Sequence, residues 1–283
     1  MISLGASRAN PHPAALPAYP GRPPRLAVRF PRADYGDAQD EEWCEVYLGN
    51  HWVRLRLHDY DRIYRIPGLY EHLFGEVLRC TSPQRVVGLL AEVLAEYGKS
   101  PTTLNVLDLG AGNGMVGREL RNLGVRELVG VDVIPEAADA VRRDRPGLYD
   151  DYLIEDLCET DLRSLPRQSL SRLNCLVCVA ALGFGDIPPR AFATALHAIA
   201  TPGWLAFNIK ESFLAGDDET GFCRFIRALS DNGVIRIEAY RRYPHRLSIA
   251  GKQLFYVAMV ARKLREAPAA LIEAHHDSDP RDN

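Results

Sequence analysis

The sequence lacks any long apolar run, because no segment approaches the ~18 consecutive apolar residues that a membrane-spanning helix requires. It also lacks an excess of charge of either sign, since 34 Lys and Arg residues stand against 37 Asp and Glu residues, for a net charge of −3. Such a balance gives no strong field for nucleic acid or for an anionic membrane, and neither partner is expected. The N-terminus has no apolar core of the kind that secretory signal peptides carry.

Cysteine is scarce and scattered, with six residues spread over 283 positions. This is not the dense spacing of a disulfide framework, so a reducing, cytoplasmic location is expected. Cys175 and Cys178 have the C-x-x-C spacing, but they stand in an apolar strand pattern, where positions i and i+3 face opposite sides. Core packing is therefore expected for both, rather than redox chemistry or zinc binding. No group of His, Cys and Asp has metal-ligand spacing, and no metal is expected.

Both ends of the chain are poor in regularly spaced apolar residues. Residues 1–35 include six prolines between positions 11 and 24, and residues 266–283 are mostly polar or small. Segments of this kind bury too little surface to offset their ordering entropy. We therefore predict a disordered N-terminal arm, a lobe over residues 36–100, a larger domain over residues 101–265 and a disordered tail.

The predicted lobe shows two local patterns. Residues 42–57 alternate apolar and polar side chains on either side of Gly49 and Asn50, which predicts a β-hairpin. The stretch that begins at Ser82 has helical spacing instead. Ser82 is its expected N-cap, and Gly98 follows its last turn.

After residue 101, short β-branched runs alternate with helical stretches. Alternation of this kind indicates a parallel sheet with helices on both faces. The last two strands are joined by residues 244–251, which are too few for a crossover helix, so the last strand should run antiparallel to its neighbour. The expected fold is α/β: a Rossmann-like, seven-stranded, mostly parallel sheet with an antiparallel last strand, plus the N-terminal hairpin and helix lobe.

The first strand of this domain leads into a glycine-rich stretch that contains two patterns at once. Gly110, Gly112 and Gly114 read G-x-G-x-G, while Gly112, Gly114 and Gly117 read the G-x-G-x-x-G of dinucleotide-binding proteins. In either case a glycine loop before a helix lets the backbone approach a ligand closely. The residues of the preceding strand distinguish between the two patterns. With Gly112 as the first glycine, Asp108 would be an unpaired carboxylate inside a buried strand, which is energetically costly.

Three acidic residues then fall at the ends of three successive strands. With Gly110 as the first glycine, Asp108 is expected at the open C-terminal edge of the sheet, where ligands bind. Asp132 ends the second strand, where an acid accepts hydrogen bonds from ribose hydroxyls, and Asp156 ends the third. A ligand with an amine, two ribose hydroxyls and an adenine amino group suits this set, whereas a pyrophosphate suits it poorly.

Over roughly residues 103–263 the sequence resembles the class I S-adenosylmethionine (SAM)-dependent methyltransferases. The matching stretches are VLDLGAGNG at residues 106–114, GVDV at residues 130–133 and IEDL at residues 154–157. Two further stretches are similar to the methyltransferase-like group named after the Williams–Beuren region. They are AALGFGDIPP at residues 180–189 and HRLSIAGKQLFYVAMVARK at residues 245–263.

The resemblance implies SAM as the cofactor, with S-adenosylhomocysteine (SAH) as its product. The glycine loop would surround the methionine part of the cofactor, with Asp108 towards its ammonium and Asp132 on the ribose hydroxyls. Val133, Asp156 and Leu157 would contact the adenine. The implied cofactor-binding residues are Asp108, Gly110, Gly112, Gly114, Asp132, Val133, Asp156, Leu157, Ala180 and Tyr64.

Methyl transfer is an in-line displacement, so the protein mainly aligns the acceptor and needs a base only where the acceptor carries a proton. The loops after the later strands offer His245 and Glu211 as catalytic candidates, with His245 the better base on chemical grounds. Asp186 is a third candidate, and Arg246 could hold a substrate carboxylate or stabilise the turn. Three lobe tyrosines, Tyr60, Tyr64 and Tyr70, could form a lid over cofactor and substrate, or could simply pack the lobe onto the sheet.

Two narrower activities lack their sequence marks. Exocyclic-amine DNA methylation is usually associated with [DNS]-P-P-[YFW] after the fourth strand, where this chain has AALG, and cytosine C5 methylation commonly uses a Pro-Cys pair that this chain lacks. The expected function is methyl transfer to an O or N atom of a small molecule. Alternatives are a protein or peptide acceptor, or a SAM-binding partner module without catalysis; a dinucleotide oxidoreductase is more distant. The oligomeric state is left open.

Overall fold

A computed structural model describes residues 26–31, 39–182, 186–214 and 221–274. The lobe begins with a small antiparallel sheet of three strands in the order β1 (Val28–Arg29), β2 (Trp43–Leu48) and β3 (His51–Arg56). Gly49 and Asn50 join β2 to β3 with φ of +52° and +77°. Positive φ at both central residues is the type I′ hairpin turn, so the predicted hairpin is confirmed.

The rest of the lobe covers one face of this small sheet. Helix α1 (Tyr60–Arg65) is followed by a π-helical turn (Glu71–Val77). Alternate residues of the strands, such as Cys44, Val46 and Leu55, pack against apolar side chains of these helical segments. The outer residues of the same strands face solvent, as expected for a sheet that is covered on one side.

The main sheet has seven strands. They are β4 (Asn105–Leu109), β5 (Glu127–Asp132), β6 (Asp151–Ile154), β7 (Cys175–Cys178), β8 (Gly203–Lys210), β9 (Ile235–Leu247) and β10 (Gln253–Lys263). Their order across the sheet is β6-β5-β4-β7-β8-β10-β9. The first five strands in this order are parallel, and β10 runs antiparallel to both β8 and β9. The predicted fold class is therefore confirmed.

Helices cover both faces of the main sheet. They are α2 (Ser82–Glu96), α3 (Met115–Leu123), α4 (Pro135–Asp144), α5 (Pro189–Ala198) and α6 (Phe222–Asp231). Successive strand residues point to opposite faces, so Val106 packs with α2 and α3 while Leu107 packs with α5 and α6. Cys175 and Cys178 fall in these two different cores and are fully buried, as the core-packing prediction required.

Three details differ from the predictions. Helix α2, assigned above to the lobe, packs on the main sheet through residues such as Val86 and Leu90. Strand β9 extends to Leu247, because its hydrogen bonds to β10 continue through residues predicted to form the connecting loop. Ser82 does not cap α2, since its hydroxyl is engaged by side chains of the sheet.

The C-terminal segment also differs. Helix α7 (Ala269–Glu273) lies within the predicted disordered tail, and Leu271 and Ile272 pack against the main core. Residues 1–25 and 32–38 lie outside the described residues, but residues 26–31 of the predicted disordered arm include β1, which pairs with β2. In the described ranges, no helix has the length and apolarity to cross a membrane. The same ranges contain no cluster of three or more His, Cys, Asp or Glu suited to a metal ion.

Candidate functional site

A cavity of about 320 Å³ lies at the C-terminal ends of the parallel strands. Ligands of open α/β sheets bind at this edge, and the volume is within the range typical of small-ligand sites. The sheet supplies one wall, and the lobe supplies the other through three tyrosines and His58. The lining residues are His58, Tyr60, Tyr64, Tyr70, Leu109, Gly110, Val131, Asp132, Val133, Ile134, Glu155, Asp156, Leu157, Val179, Ala180, Ala181, Asp186, Ile187, Pro188 and Ala191.

The glycine loop between β4 and α3 depends on conformations that favour glycine. Gly110, Gly112 and Gly114 have φ of +70°, +53° and +86°, a region that other residues rarely adopt. A Cβ at Gly112 would lie 2.5 Å from the hydroxyl oxygen of Tyr64, and one at Gly114 would lie 2.6 Å from Leu148 Cδ2. Gly112 and Gly114 therefore have no room for a side chain.

The fourth glycine, Gly117, has a different role. A Cβ there would lie 2.6 Å from the hydroxyl oxygen of Tyr149, so Gly117 makes room for a side chain of this same chain. Gly130 on β5 makes room for two rings, because a Cβ there would lie 2.8 Å from Tyr152 Cδ2 and 3.0 Å from Tyr149 Cε1. The two glycines together seat the Tyr149 ring. The second of the two nested patterns thus reflects internal packing.

Tyr149 covers Asp108, the acid before the loop. Asp108 is fully buried, and its Oδ2 accepts a hydrogen bond of 2.7 Å from the Tyr149 hydroxyl. Its Oδ1 has no partner among the described residues. Burial raises the pKa of Asp108 to about 7, against the opposing effect of the Tyr149 hydrogen bond and with a smaller contribution from Asp132. The expectation that Asp108 stands at the open edge was wrong, because Tyr149 closes over it.

Asp132, at the end of β5, faces the cavity and fixes the loop. Its Oδ2 accepts from the backbone N–H of Gly112 at 2.8 Å, and its Oδ1 accepts from that of Ile134 at 3.0 Å. Burial raises the pKa of Asp132, while these backbone donors act in the opposite direction. Val133 follows it and is 56% exposed, an apolar side chain left open beside the cavity.

The ends of β6 and β7 complete this side of the cavity. Asp156 and Leu157 both line it, and Asp156 Oδ1 accepts from the backbone N–H of Cys158 at 2.9 Å. After β7, Ala180 lines the cavity with φ of +58°, which is uncommon for a residue with a Cβ. Its N–H donates to Oδ1 of Asn208, a fully buried residue of β8, at 2.7 Å.

Asn208 was missed in the sequence, where the only signal is an amide in an otherwise apolar strand. Its Nδ2 donates to the Tyr243 hydroxyl at 2.6 Å, and Tyr243 and Ser82 are hydrogen-bonded at 2.7 Å. Tyr243 and Ser82 thus hold the Asn208 amide, which in turn holds the backbone N–H of Ala180. Asn208 is therefore a positioning residue for the part of the cavity that Ala180 lines.

The lobe is tied to the sheet by arginines of and after α4. Arg145 donates to the backbone carbonyl of Asn113 in the glycine loop at 2.6 Å and pairs with Glu71 of the lobe. Arg143 donates to the carbonyl of Tyr64 at 3.1 Å. These contacts place the tyrosine wall, in which the Tyr64 and Tyr70 rings are 5.0 Å apart.

The two predicted catalytic residues do not line the cavity. His245 lies in β9, is 4% exposed, and its Nδ1 is 2.6 Å from the Ser82 hydroxyl oxygen. Burial, and then the charge of Arg246, lower the pKa of His245 well below its usual value. Glu211 is partly exposed and accepts two hydrogen bonds from Arg242. His245 lies in a strand rather than in the expected loop, and Glu211 follows β8 without lining the cavity, so the structure brings neither predicted catalytic residue to the candidate site.

Asp186 and His58 meet at the cavity instead. Asp186 Oδ2 is 3.8 Å from His58 Nδ1, and their side chains are 29% and 16% exposed. Burial, and then the charge of Asp132, raise the pKa of Asp186 to about 7. Burial, followed by the charge of Arg246, lowers the pKa of His58. A carboxyl group that titrates near neutral pH can accept a proton from a ligand at physiological pH.

No protein-family model matches the sequence, and no curated protein matches it. Solved structures do resemble it. The N-methyltransferase NodS from Bradyrhizobium japonicum, in complex with SAH, is 13% identical with a TM-score of 0.49, over 73% of this chain and 97% of that one. At this identity and TM-score the likeness carries no conclusion about family or activity, and the Williams–Beuren grouping stays a prediction.

Two other solved structures are similar in the same sense. Magnesium protoporphyrin IX methyltransferase from Synechocystis, with bound SAM, is 14% identical with a TM-score of 0.43, over 64% of this chain and 79% of that one. Ribosomal protein L11 methylase from Lactobacillus delbrueckii subsp. bulgaricus is 16% identical with a TM-score of 0.41, over 63% and 77%.

Proposed function

We propose that this chain is a SAM-dependent methyltransferase that acts on an O or N atom of a small molecule. One observation carries the proposal: the cavity is lined by Gly110 of the left-handed glycine loop and by acids that end or follow β5 and β6, while Asp108 is buried in β4 just before that loop. The unpartnered oxygen of Asp108 suits a cationic group such as an ammonium. A pyrophosphate is disfavoured because four carboxylates line the described part of the cavity, where no Lys or Arg does.

Each residue then has a defined role. Gly110, Gly112 and Gly114 let backbone contact the methionine part of the cofactor, with Tyr64 across from Gly112. Asp132 accepts from the ribose hydroxyls and Val133 packs on the adenine. Asp156, Leu157 and Ala180 complete the cofactor side of the cavity. The bound cofactor supplies a methyl group that is already activated by its sulfonium, so the chain's task is alignment and exclusion of water.

The lobe supports a small acceptor rather than a polymer. Tyr60, Tyr64 and Tyr70 line the cavity opposite the sheet edge, and Arg143 ties this wall to α4 through the backbone carbonyl of Tyr64. This aromatic wall and the cavity volume of about 320 Å³ limit the size of the acceptor that fits beside the cofactor. A protein or peptide acceptor would require this wall to open.

Titration calorimetry with SAH tests the cofactor assignment. We expect micromolar-range binding to the wild type and a loss of about tenfold or more in Asp132→Ala, which corresponds to about 1.4 kcal/mol. The matched control is Asp139→Ala, because that aspartate is 64% exposed on α4 and does not line the cavity. Absence of SAH binding, or binding of NADH in its place, would overturn the proposal.

A glycine pair provides a second test of the same site. Gly112→Ala places a Cβ against Tyr64 in a left-handed conformation, so we expect SAH affinity to fall by at least about tenfold. Gly147→Ala is the matched control, since Gly147 has a φ of +73° and open space around the added Cβ. Both variants carry the same kind of backbone strain. Equal losses of SAH affinity in the two would show that strain, and not proximity to the cofactor, is the cause.

A further inference from the structure

The cavity has a strongly one-sided charge. Asp132, Glu155, Asp156 and Asp186 line it, and no Lys or Arg lines it in the described ranges. Arg246 lies near enough to affect the pKa values of His58 and Tyr60, but its charge is balanced by a buried ion pair with Glu42. An acceptor with a carboxylate or phosphate would therefore meet repulsion without a compensating cation.

The acids fall into two groups by position. Asp132 and Asp156 follow β5 and β6, on the side assigned above to ribose and adenine. Asp186 lies on the far side, after β7, beside His58 and close enough to Tyr60 for its charge to raise the pKa of that phenol. Glu155 follows β6 together with Asp156 and accepts a hydrogen bond from Thr160. Asp186 is therefore the cavity carboxylate that lies away from the ends of β5 and β6, next to aromatic rings.

The aromatic rings form a continuous wall beside Asp186. The rings of His58 and Tyr60 are 5.5 Å apart, those of Tyr60 and Tyr64 are 6.2 Å apart, and those of Tyr64 and Tyr70 are 5.0 Å apart. The faces of tyrosine rings attract cations, and a carboxylate beside them strengthens that preference. The same rings tolerate methyl groups on nitrogen, because the contact is apolar as well as electrostatic.

We propose that the acceptor is a small amine, whose nitrogen is bound by the Asp186 carboxylate and packed against the ring of Tyr60. This rests on the proposed methyltransferase function and narrows its substrate class from O or N to an amine nitrogen. A hydroxyl acceptor gains no comparable attraction from a carboxylate and a ring face, and an anionic acceptor is repelled.

Asp186 also handles the proton that an amine must lose. The bound ammonium transfers a proton to the Asp186 carboxylate, which later releases it to water. The freed lone pair of the nitrogen forms the new N–C bond while the C–S bond of the sulfonium breaks and its electrons stay on sulfur. The raised pKa of Asp186, about 7, suits a group that accepts this proton near neutral pH.

Three probes of similar shape and different charge test this proposal by binding, without turnover. Calorimetry or ligand-detected NMR on the SAH-loaded protein would compare phenethylamine, 2-phenylethanol and 3-phenylpropionate. We expect the amine to bind about tenfold or more tightly than the alcohol, and the carboxylate to bind most weakly. Asp186→Asn should remove the preference for the amine and leave SAH affinity within about twofold, while Asp139→Asn should change neither.

A ring series isolates the aromatic contribution. Tyr60→Phe should retain the preference for phenethylamine because the ring face is kept, whereas Tyr60→Leu should reduce it about threefold or more. Preference for the alcohol or the carboxylate in the wild type would overturn the amine proposal, as would unchanged amine affinity in Asp186→Asn. If SAH fails to bind at all, the proposed function fails first; if SAH binds and the amine preference is absent, only the acceptor class is wrong.

Discussion

Arg246→Met is expected to lower the free energy of unfolding by about 3–5 kcal/mol, because it leaves a buried carboxylate without its cation. Arg246 Nη2 is 2.6 Å from Glu42 Oε2, and the two side chains are 3% and 4% exposed. Glu42 precedes β2 of the lobe and Arg246 lies in β9, so the pair joins the lobe to the sheet. Urea unfolding of the wild type and the variant measures the loss.

A double variant separates the unpaired charge from other effects. Glu42→Gln combined with Arg246→Met removes both charges, and the amide oxygen of the introduced glutamine can still accept from the Ile249 N–H that Glu42 now binds at 2.7 Å. We expect most of the lost stability to return. Arg241→Met is the matched control, because Arg241 pairs with Glu92 where both side chains are more than half exposed, and no measurable change is expected. Equal losses at the two pairs would contradict the burial argument.

The Glu42–Arg246 pair also shows why the role of Arg246 could not be predicted from the sequence. The segment after the sixth strand was expected to be a loop at the ligand edge, where an arginine could hold a substrate. Whether a residue there faces a ligand or a partner depends on Glu42, about 200 positions earlier, and on a lobe whose packing has no local signature. His245 was misplaced for the same reason, since Ser82 and Tyr256 enclose it.

Local patterns were sufficient for the fold. The alternation of short strands with helices predicted the parallel sheet, and the short link between the last two strands predicted that the last one is antiparallel. Gly49 and Asn50 predicted the hairpin because glycine and asparagine adopt positive φ more readily than other residues, and both have positive φ in this turn. The strand-end acids Asp132 and Asp156 reached the cavity because chain direction in a parallel sheet determines which edge they occupy.

The same reasoning failed at Asp108 because the residues that surround it are distant in the sequence. Asp108 is the penultimate residue of β4, paired within the sheet on both sides, and Tyr149, which is 41 residues later in the sequence, covers it. The space for that ring comes from Gly117 and Gly130, which are small for reasons visible only in three dimensions. Asn208 is comparable, since an amide in a buried strand gives no sign of which backbone group it will hold.

Asp108→Asn is expected to stabilise the ligand-free protein at pH 8 by about 4 kcal/mol and to change it little at pH 4. The pKa of Asp108 rises from an ordinary 3.8 to about 7 on folding, which corresponds to that energy. Between these two values the folded protein holds a proton that the unfolded chain has released, so the wild type loses stability as pH rises from about 4 to 7. Asparagine has no charge to lose, and urea unfolding at the two pH values isolates its effect.

The same substitution should act in the opposite direction on the cofactor. If Asp108 Oδ1 faces the ammonium of SAH when it is bound, Asp108→Asn should weaken SAH at pH 8 by about tenfold or more while it stabilises the free protein. Methylthioadenosine, which has the nucleoside and lacks the ammonium, distinguishes the contribution of Asp108 to binding from that of Asp132. Asp108→Asn should leave the affinity for methylthioadenosine unchanged, whereas Asp132→Ala should weaken the binding of both ligands.

An Asp108→Asn variant that loses stability at pH 8 and still binds SAH normally would show that Asp108 serves only as the hydrogen-bond acceptor of Tyr149. A stability gain together with a loss confined to SAH would instead mean that the protein keeps a buried charge at a cost to its own fold because the cofactor needs it.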